Sequence, residues 1–333
     1  MTVQPAKRAR NPEHQRDDRS REEPHRRDAA APKAPRRDGL VVVDKPAGLT
    51  SHDVVARLRR IAGTRRVGHA GTLDPMATGV LVLGVEKATR LLHHLVLADK
   101  AYRATIRLGQ ATSTDDAEGE PVGGASARTL TDDAVRTAMP SLTGDIEQVP
   151  SAVSAIKVAG QRAYARARAG EAVELAARPV TVHRFEAIGF RRPAPDLLDV
   201  DVEVECSSGT YVRALARDLG VALGVGGHVS ALRRTRVGPF TLAQAHSLDE
   251  LAQLDNPVTM PLAAAVRAAL PVRQVTAVQA RELSFGRTLP AAGIAGTYAA
   301  FDPDGAVVAL VAERGGDARP VLVFTAAGSD DRQ

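Results

Sequence analysis

The loop from Val67 to Gly79 brings together residue types that can perform acid–base or nucleophilic chemistry. It reads VGHAGTLDPMATG and sets the imidazole of His69 and the carboxylate of Asp74 among glycines. Glycine permits positive φ or the close approach of a ligand, and Pro75 fixes the backbone directly after Asp74. The apolar run that follows is typical of a buried strand, which would anchor the loop on a rigid element. Taken alone, Asp74 is explained equally well as a turn-capping aspartate and as a catalytic carboxylate.

Other signatures of chemistry are missing from the sequence, so we expect neither a cofactor nor a metal. The chain has no Gly-x-x-x-x-Gly-Lys-Ser/Thr phosphate loop, no Gly-x-Gly-x-x-Gly turn and no zinc-binding spacing. Cys206 is the only cysteine, which excludes an intrachain disulfide and a cysteine-rich metal site. The absence of a disulfide, a signal peptide and an apolar run of ~18 residues predicts a cytoplasmic protein that does not enter a membrane.

Charge is distributed unevenly along the 333 residues, whose net charge is +5. Residues 1–38 contain 11 Lys/Arg and 7 Asp/Glu but no Leu, Ile, Phe, Tyr or Trp, so we predict a disordered charged tail. The other 295 residues hold 33 basic and 32 acidic residues, so clustering of charge is more informative than its total. Three basic runs without acidic residues stand out: Arg57–Arg66, Lys157–Arg168 and Arg233–Arg236.

Hydrophobic periodicity places the loop of Asp74 among strands and helices in no regular βαβ order, which predicts an α+β fold. A strand at 39–44 precedes a helix that begins near Thr50 and ends at Gly63. Further strands are predicted at 79–85, 101–108 and 200–206, and helices at 131–144 and 210–219. Residues 111–130 read as a polar loop and Asp302–Gly305 as a hairpin turn, and the glycine-rich loop around His228 is expected to display that side chain. Residues 148–178 read as an inserted, partly helical arm, and residues 271–329 as a small β-rich domain after a linker near 255–258.

Five motifs in consistent order resemble the bacterial-type tRNA pseudouridine synthases that modify a uridine in the TΨC loop. The likeness covers about residues 39–250, and one departure is visible, because the usual loop has threonine in place of Ala70. Besides the loop of Asp74, the matching motifs are Asp44–Gly48, Lys100–Tyr102 with Arg107–Gln110, Cys206–Arg213 and His228–Arg234. The segment Val149–Lys157 also resembles the start of the family's RNA-embracing insertion.

The resemblance implies a catalytic domain at 39–258, with a mixed, mainly antiparallel sheet flanked by helices, and a PUA-like RNA-binding domain at 271–329. It implies an isomerisation without redox change or group donor, with Asp74 as the essential group. Asp74 would either attack the sugar covalently or remove a sugar proton through a glycal intermediate. Arg213 is expected to keep Asp74 ionised, and Tyr102 to stack on the flipped uracil.

Further residues are expected to contact the substrate. His69 is predicted to enter the RNA stack as the base leaves, and Tyr211 and Leu232 to line the pocket. Lys45 is expected mainly to shape the adjacent loop. The predicted substrate-side and RNA-binding residues are therefore His69, Tyr211, Leu232, Lys45, Arg65, Arg66, Lys157, Arg233 and Arg234.

The expected partner is the TΨC stem-loop of tRNA, held by phosphate contacts from the basic runs and by the insertion at 148–178. We expect a monomer with no obligatory protein partner. One alternative is the guide-RNA-dependent relative of archaea and eukaryotes, which an insertion that grips RNA directly disfavours. The other alternative is a non-catalytic RNA-binding or tRNA-folding protein, in which Asp74 would be dispensable.

Overall fold

The computed structural model describes residues 38–151 and 175–325, together with the backbone of residues 157–158 and 161–162. The described residues belong to one compact unit that begins at Arg37. The predicted charged tail and most of the predicted insertion lie outside the described residues.

The strands are β1 (Gly39–Lys45), β2 (Val67–Ala70), β3 (Thr78–Val85), β4 (Lys100–Leu108), β5 (Ala111–Thr112), β6 (Pro121–Gly123), β7 (Gly144–Gln148), β8 (Lys157–Val158), β9 (Gln161–Arg162), β10 (Arg178–Ala194), β11 (Leu197–Cys206), β12 (Gly227–Val237), β13 (Phe240–Thr241), β14 (Met260–Pro261), β15 (Val272–Gln274), β16 (Leu289–Pro290), β17 (Thr297–Phe301), β18 (Val307–Arg314) and β19 (Asp317–Val323). The α-helices are α1 (Ser51–Ile61), α2 (Leu92–Val96), α3 (Asp132–Ala138), α4 (Val212–Ala222), α5 (Leu248–Ala252), α6 (Leu262–Ala269) and α7 (Ala277–Ser284), and short 3₁₀ helices cover Glu86–Arg90, Met139–Leu142 and Leu242–Gln244.

A ten-stranded sheet forms the centre of the molecule, in the order β14-β1-β3-β12-β4-β11-β10-β7, with β2 and β13 attached to β3 and β12. Neighbouring strands run antiparallel except β3 and β12, which are parallel. The predicted α+β class and the mixed, mainly antiparallel sheet are therefore confirmed. The β3–β12 junction matters for the site, because the loop of Asp74 enters β3 beside β12.

Helix α1 forms where the sequence predicts it and reaches the loop of Asp74. Thr50 and Asp53 make a reciprocal capping box at its start, and Gly63 ends it with φ of +61°. The hydroxyl of Ser51, 1% exposed, accepts a hydrogen bond from the Leu73 amide at 2.9 Å and donates to the Leu73 carbonyl at 3.2 Å. The first turn of α1 therefore holds the residue before Asp74.

The central sheet buries both faces, because alternate residues of its inner strands pack into two different cores. On β1, Val41 and Val43 face the core that contains α1 and α4. Leu40 and Val42 face the opposite core, which includes Leu262 of α6. The central sheet therefore separates two hydrophobic cores and contributes side chains to both.

The C-terminal part contains a second sheet of five strands, in the order β15-β17-β18-β19-β16. The turn between β17 and β18 forms at the predicted Asp-Pro-Asp-Gly segment, where Gly305 has φ of +81°. Phe301 and Leu310 of this sheet pack into the same core as Leu40 and Val42 of β1. The division into domains at 39–258 and 271–329 stays a prediction.

Candidate active site

The predicted chemistry residues surround one cavity of about 320 Å³ between the loop of Asp74, the strands β4 and β12, and the start of α4. The side chains that matter here are Asp74, Tyr102, Tyr211, Arg213, Leu232 and Arg234. Folding brings them together from positions as far apart as 74 and 234. The described residues contain no cluster of three His, Cys, Asp or Glu side chains suited to a metal ion.

The carboxylate of Asp74 is paired with the guanidinium of Arg213, which α4 presents in its first turn. Nε of Arg213 lies 3.0 Å from Oδ2 of Asp74, and Nη2 donates to Oδ1 at 3.2 Å. Two parallel contacts of this kind fix the orientation of a carboxylate as well as its charge. The Arg213 side chain is 4% exposed, whereas that of Asp74 is 35% exposed. Asp74 is therefore the member of the pair that faces the cavity.

Burial raises the pKa of the Asp74 carboxyl above its usual value, because an ionised carboxylate loses hydration there. The charge of Arg213 opposes that rise and lowers the pKa, while the neighbouring Asp116 raises it further. Among the groups around Asp74, Arg213 therefore favours the ionised carboxylate most strongly. The role that the family resemblance implies for Arg213 stays a prediction.

Asp116 is a site residue that the sequence reasoning missed. Its Oδ2 lies 3.2 Å from Nη1 of Arg213, and its side chain is 4% exposed. Thr114 donates its hydroxyl to Oδ1 of Asp116 and its carbonyl accepts from Nη1 of Arg213. From the sequence, residues 111–130 read as an ordinary polar loop. The Thr-x-Asp spacing of Thr114 and Asp116 could have indicated a structured turn, because these two side chains can hydrogen-bond to each other.

Two buried cations, Lys45 and Arg234, stabilise the loop of Asp74 by donating hydrogen bonds to backbone carbonyls. Lys45 is 0% exposed, and its Nζ donates to the carbonyls of Pro46, Leu49 and Pro75 at 3.0, 2.6 and 3.1 Å. Burial lowers its pKa to about 8. The expectation that Lys45 shapes the loop agrees with these contacts, but its placement among the RNA-binding residues is wrong, because its ammonium group is buried and bonded to backbone carbonyls.

The second cation is Arg234, for which the prediction of a phosphate contact is wrong. Its side chain is 1% exposed, and it donates to the carbonyls of Val80 at 2.8 Å and Gly71 at 3.0 Å. The strand alternation of β12 turns Arg234 inward, to the same side as Leu232. A guanidinium in this position fixes the loop and cannot reach a phosphate on the surface.

Aromatic and apolar side chains form the wall opposite Asp74. Tyr102 on β4 and Leu232 on β12 line the cavity, and Tyr211 borders it at the start of α4. Burial raises the pKa of the Tyr102 phenol, so the hydroxyl keeps its proton at neutral pH. A flat, largely apolar wall of this kind suits the face of a nucleobase.

His69 lies at the edge of this region, on β2 and half-buried. Its ring packs edge-to-face on His52 of α1, with centroids 5.6 Å apart. Burial and the nearby His52 lower the pKa of His69, which favours the neutral imidazole. His228, predicted from its glycine-rich loop to be displayed, is instead buried at 3% exposure and bonded through Nδ1 to the Gln110 carbonyl.

The predicted surface cations differ in their surroundings. Arg65 is exposed, and Arg66, 71% exposed, has its Nη1 3.7 Å from a carboxylate oxygen of Glu86. Arg233 is bound by both oxygens of Asp44, at 3.0 and 2.6 Å, so it is not the free cation that the basic run suggested. The side chain of Lys157 lies outside the described residues.

No helix among the described residues has the length and apolarity needed to cross a membrane.

Family models match most of the chain. Residues 59–212 match the model described as "TruB family pseudouridylate synthase (N terminal domain)", residues 213–267 the "tRNA pseudouridylate synthase B C-terminal domain", and residues 270–325 the model "tRNA Pseudouridine synthase II, C terminal".

Curated relatives match nearly end to end. The tRNA pseudouridine synthase B of Arthrobacter sp. (strain FB24) is 62% identical over 296 residues, which cover 86% of this chain and 96% of that protein. The tRNA pseudouridine synthase B of Thermobifida fusca (strain YX) is 62% identical over 290 residues, which cover 86% and 98%.

Solved structures share the fold at lower identity. A chain in "Crystal Structure of a Cbf5-Nop10-Gar1 Complex" superposes with a TM-score of 0.66 at 28% identity, covering 86% of this chain and 85% of that one. A chain in "Structure of H/ACA RNP bound to a substrate RNA containing 2'-deoxyuridine" gives a TM-score of 0.65 at 26% identity, covering 89% and 92%.

Proposed function

The chain belongs to the TruB family of pseudouridylate synthases and is an isomerase of tRNA uridine; from this premise we propose that it acts in the TΨC loop, with Asp74 as the catalytic carboxylate. The single observation that carries the role of Asp74 is its position. It is the carboxylate held by a buried guanidinium and open to a cavity of about 320 Å³ beside aromatic residues.

The reaction breaks the bond between N1 of uracil and C1′ of the sugar and forms a bond from C5 to C1′. N1 gains a proton and C5 loses one, so the product is an isomer of the substrate and no co-reactant is consumed. Asp74 would either attack C1′ to form a covalent intermediate or remove a sugar proton on the way to a glycal. Both routes need an ionised carboxylate, and the contact with Arg213 supports that state.

The target base must leave the RNA stack to reach this carboxylate, since the cavity lies below the protein surface. We infer that the base enters the cavity with its face on Tyr102, while Tyr211 and Leu232 border the sugar and the far edge of the ring. His69 lies on the rim, where its neutral imidazole could fill the space that the base leaves in the stack.

The RNA would be held by exposed arginines of α1 and of the segment that follows it. Arg57, Arg60 and Arg65 are exposed, and α1 begins at Ser51, which bonds to the loop of Asp74. Phosphate contacts from these arginines would place an RNA stem next to the cavity. We also infer that residues 271–329 form a PUA-like RNA-binding domain after the catalytic domain at 39–258, and that the segment 148–178 grips RNA.

The remaining proposals concern context. A cytoplasmic monomer that needs no protein partner is consistent with relatives named tRNA pseudouridine synthase B at 62% identity. The guide-RNA-dependent alternative is less well supported, because the structures of that kind resemble this chain at 26–28% identity.

The test maps pseudouridine in an unmodified tRNA transcript after incubation with the enzyme. We expect product at one uridine of the TΨC loop with the wild type, and none with Asp74→Asn. Asp133→Asn is the matched control, since that carboxylate is 93% exposed and should leave activity unchanged. Product from Asp74→Asn at the wild-type rate would refute the role of Asp74, and product at another uridine would refute the target. Retained tRNA binding by an inactive Asp74→Asn would separate catalysis from recognition.

A further inference from the structure

Gln148 fixes the start of the helix that carries Arg213. It is the last residue of β7, its side chain is 1% exposed, and its carboxamide bonds both backbone groups of Tyr211. Oε1 accepts from the Tyr211 amide at 2.8 Å, and Nε2 donates to the Tyr211 carbonyl at 3.1 Å. Tyr211 is the N-cap residue of α4, a position that normally carries a short polar side chain. Gln148 therefore orients the first turn of α4 from a neighbouring strand.

Arg217 holds the same helix one turn later. It lies four residues after Arg213 and so projects from the same side of α4. Its Nη2 donates to the Val149 carbonyl at 2.7 Å, and its Nη1 lies 3.2 Å from Oδ2 of Asp115. Residues 148 and 149 are thus both bonded to α4, one to its first turn and the other to its second.

The contact between Arg217 and Asp115 also stabilises the loop that presents Asp116. Asp115 has φ of +59°, a left-handed conformation that most non-glycine residues avoid and that aspartate tolerates better than most. Its carbonyl accepts from the Val229 amide at 3.0 Å, and the next residue, Asp116, pairs with Arg213. The loop and the helix are therefore joined twice, through Arg217 to Asp115 and through Arg213 to Asp116.

We propose that Gln148 and Arg217 are positioning residues for the isomerisation, which keep the Arg213 guanidinium aligned on the Asp74 carboxylate. Neither is among the described residues that line the cavity, so both act through α4 and not by touching the base. The inference rests on the proposed function, because it takes Asp74 and Arg213 as the groups that must be aligned.

The experiment compares Gln148→Met and Arg217→Met with the wild type in two measurements on full-length enzyme and unmodified tRNA. Single-turnover rate constants at saturating enzyme report the chemical step, and filter binding reports Kd. A misplacement near 1 Å can cost on the order of 100-fold, so we expect rate constants lowered by roughly 10- to 100-fold and Kd changed by no more than about threefold. Glu147→Gln and Arg136→Met, at exposed positions, should match the wild type in both measurements.

The pH dependence distinguishes positioning from general loss of stability. Asp74 is faced by Arg213 from α4, by Lys45 from β1, and by Asp116 and Glu118 from the loop before β6. If the guanidinium moves away, the carboxylate loses its main counter-charge and its pKa rises. We therefore expect the acid limb of the single-turnover profile to move to higher pH in both variants, whereas a smaller folded fraction would lower the rate at every pH.

Circular dichroism at the assay temperature establishes that each variant is folded. Arg217 is 27% exposed, so its variant tests the proposal if the buried Gln148 cannot be replaced. The proposal is overturned if the folded variants keep wild-type rate constants, or if weaker tRNA binding accounts for the whole loss while the acid limb stays in place. Activity in Asp74→Asn would instead refute the proposed function, and the two failures are thus separate results.

Discussion

At the scale of single residues, Arg213 serves two carboxylates that are placed differently. Asp116 is buried on the far side of the guanidinium, and Asp74 lies on the side of the cavity. A guanidinium has five N–H donors in a rigid plane, so it can bind one carboxylate for orientation and present another to a substrate. Asp116 therefore contributes to the site without being able to reach the base.

This arrangement predicts how Asp116 affects the pH dependence. The rate should rise as pH rises through the pKa of Asp74, since only the ionised carboxylate acts. Burial raises that pKa, Arg213 lowers it and Asp116 raises it. Asp116→Asn removes the repulsion of one carboxylate by the other, so we expect the acid limb of kcat to move to lower pH. The measurement is a kcat profile at saturating tRNA, beside Asp133→Asn as a surface control.

A limb that stays in place or moves to higher pH in Asp116→Asn would contradict the prediction. Movement to higher pH would mean that Asp116 acts mainly by holding Arg213 in position, so that its loss frees the guanidinium from Asp74.

The sequence predicts which residues belong to the site better than it predicts which of those residues are buried. Arg233 and Arg234 are neighbours in one basic run, yet Arg233 reaches Asp44 at the surface and Arg234 bonds to carbonyls beneath the loop. The alternation of a strand decides between them, and the run was not recognised as a strand because three arginines and small polar residues obscure its apolar period. The partner Asp44 lies 189 positions away, which no local pattern reveals.

At the scale of elements, the loop of Asp74 is held at both ends. Ser51 of α1 bonds the residue before Asp74, and β3 begins after it at Thr78, where the chain passes β12. Gly79 has φ of +99°, and a β-carbon placed there would lie 2.1 Å from the Arg234 carbonyl oxygen. The close approach of β3 to β12 at this point requires glycine.

Gly79→Ala should therefore destabilise the protein severely. The backbone strain and the clash together cost on the order of 3 kcal/mol or more, and the loop should lose its anchor. We expect Gly79→Ala to unfold at a lower urea concentration than the wild type, with unfolding monitored by circular dichroism. The fraction that remains folded should have lost activity. Gly189→Ala is the control, because a β-carbon there would meet its nearest atom at 3.5 Å. Equal midpoints for the two variants would show that β3 can move away from β12.

Local sequence patterns predicted the elements that have a clear hydrophobic period, a helix cap or typical turn residues, such as α1 and the β17–β18 turn. They predicted less well where a single residue interrupts the pattern. The helix expected at 131–144 is divided into α3 and a 3₁₀ helix that contains Pro140, whose missing amide donor does not support a continuing α-helix. The order of strands in the sheet could not be predicted, because it depends on contacts between distant segments.

At the scale of the whole molecule, the central sheet and the C-terminal sheet share one of the hydrophobic cores. Phe301 of β17 is 0% exposed and packs in the cluster that contains Leu40 and Val42 of β1. The guanidinium of Arg267 lies over its ring, 3.8 Å from the centroid. Removing this ring should weaken both halves of the molecule.

Phe301→Ala should cost roughly 3–5 kcal/mol, the usual loss for a buried phenylalanine. We expect one unfolding transition in urea, with the midpoint of lost activity and the midpoint of lost circular dichroism shifted together. Val321→Ala, at a 53% exposed position of β19, should leave both midpoints unchanged. A shift in circular dichroism alone, with the activity midpoint in place, would show that the C-terminal sheet unfolds separately.

The distribution of charge over the molecule leads to a prediction about tRNA binding. The 295 residues after the tail are nearly neutral, with 33 basic and 32 acidic side chains, and many surface arginines pair with nearby acids. Arg57, Arg60 and Arg65 are exposed in a stretch from Val54 to Gly68 that contains no acidic residue. Phosphate contacts by such arginines release counterions, and the affinity then falls as salt rises.

Replacing Arg57, Arg60 and Arg65 together by alanine should weaken tRNA binding and lower the slope of log Kd against log salt by roughly 2–3, about one for each lost phosphate contact. The control replaces Arg103, Arg128 and Arg136, which lie near Glu203, Asp196 and Asp133. It removes the same charge from elsewhere on the surface, so its slope should stay close to the wild-type value. Equal slopes for the two triple variants would mean that total charge, and not the arginines of α1 and the segment after it, attracts the RNA. A reduced slope with an unchanged rate constant at saturation would place these arginines in recognition and leave the chemistry to Asp74.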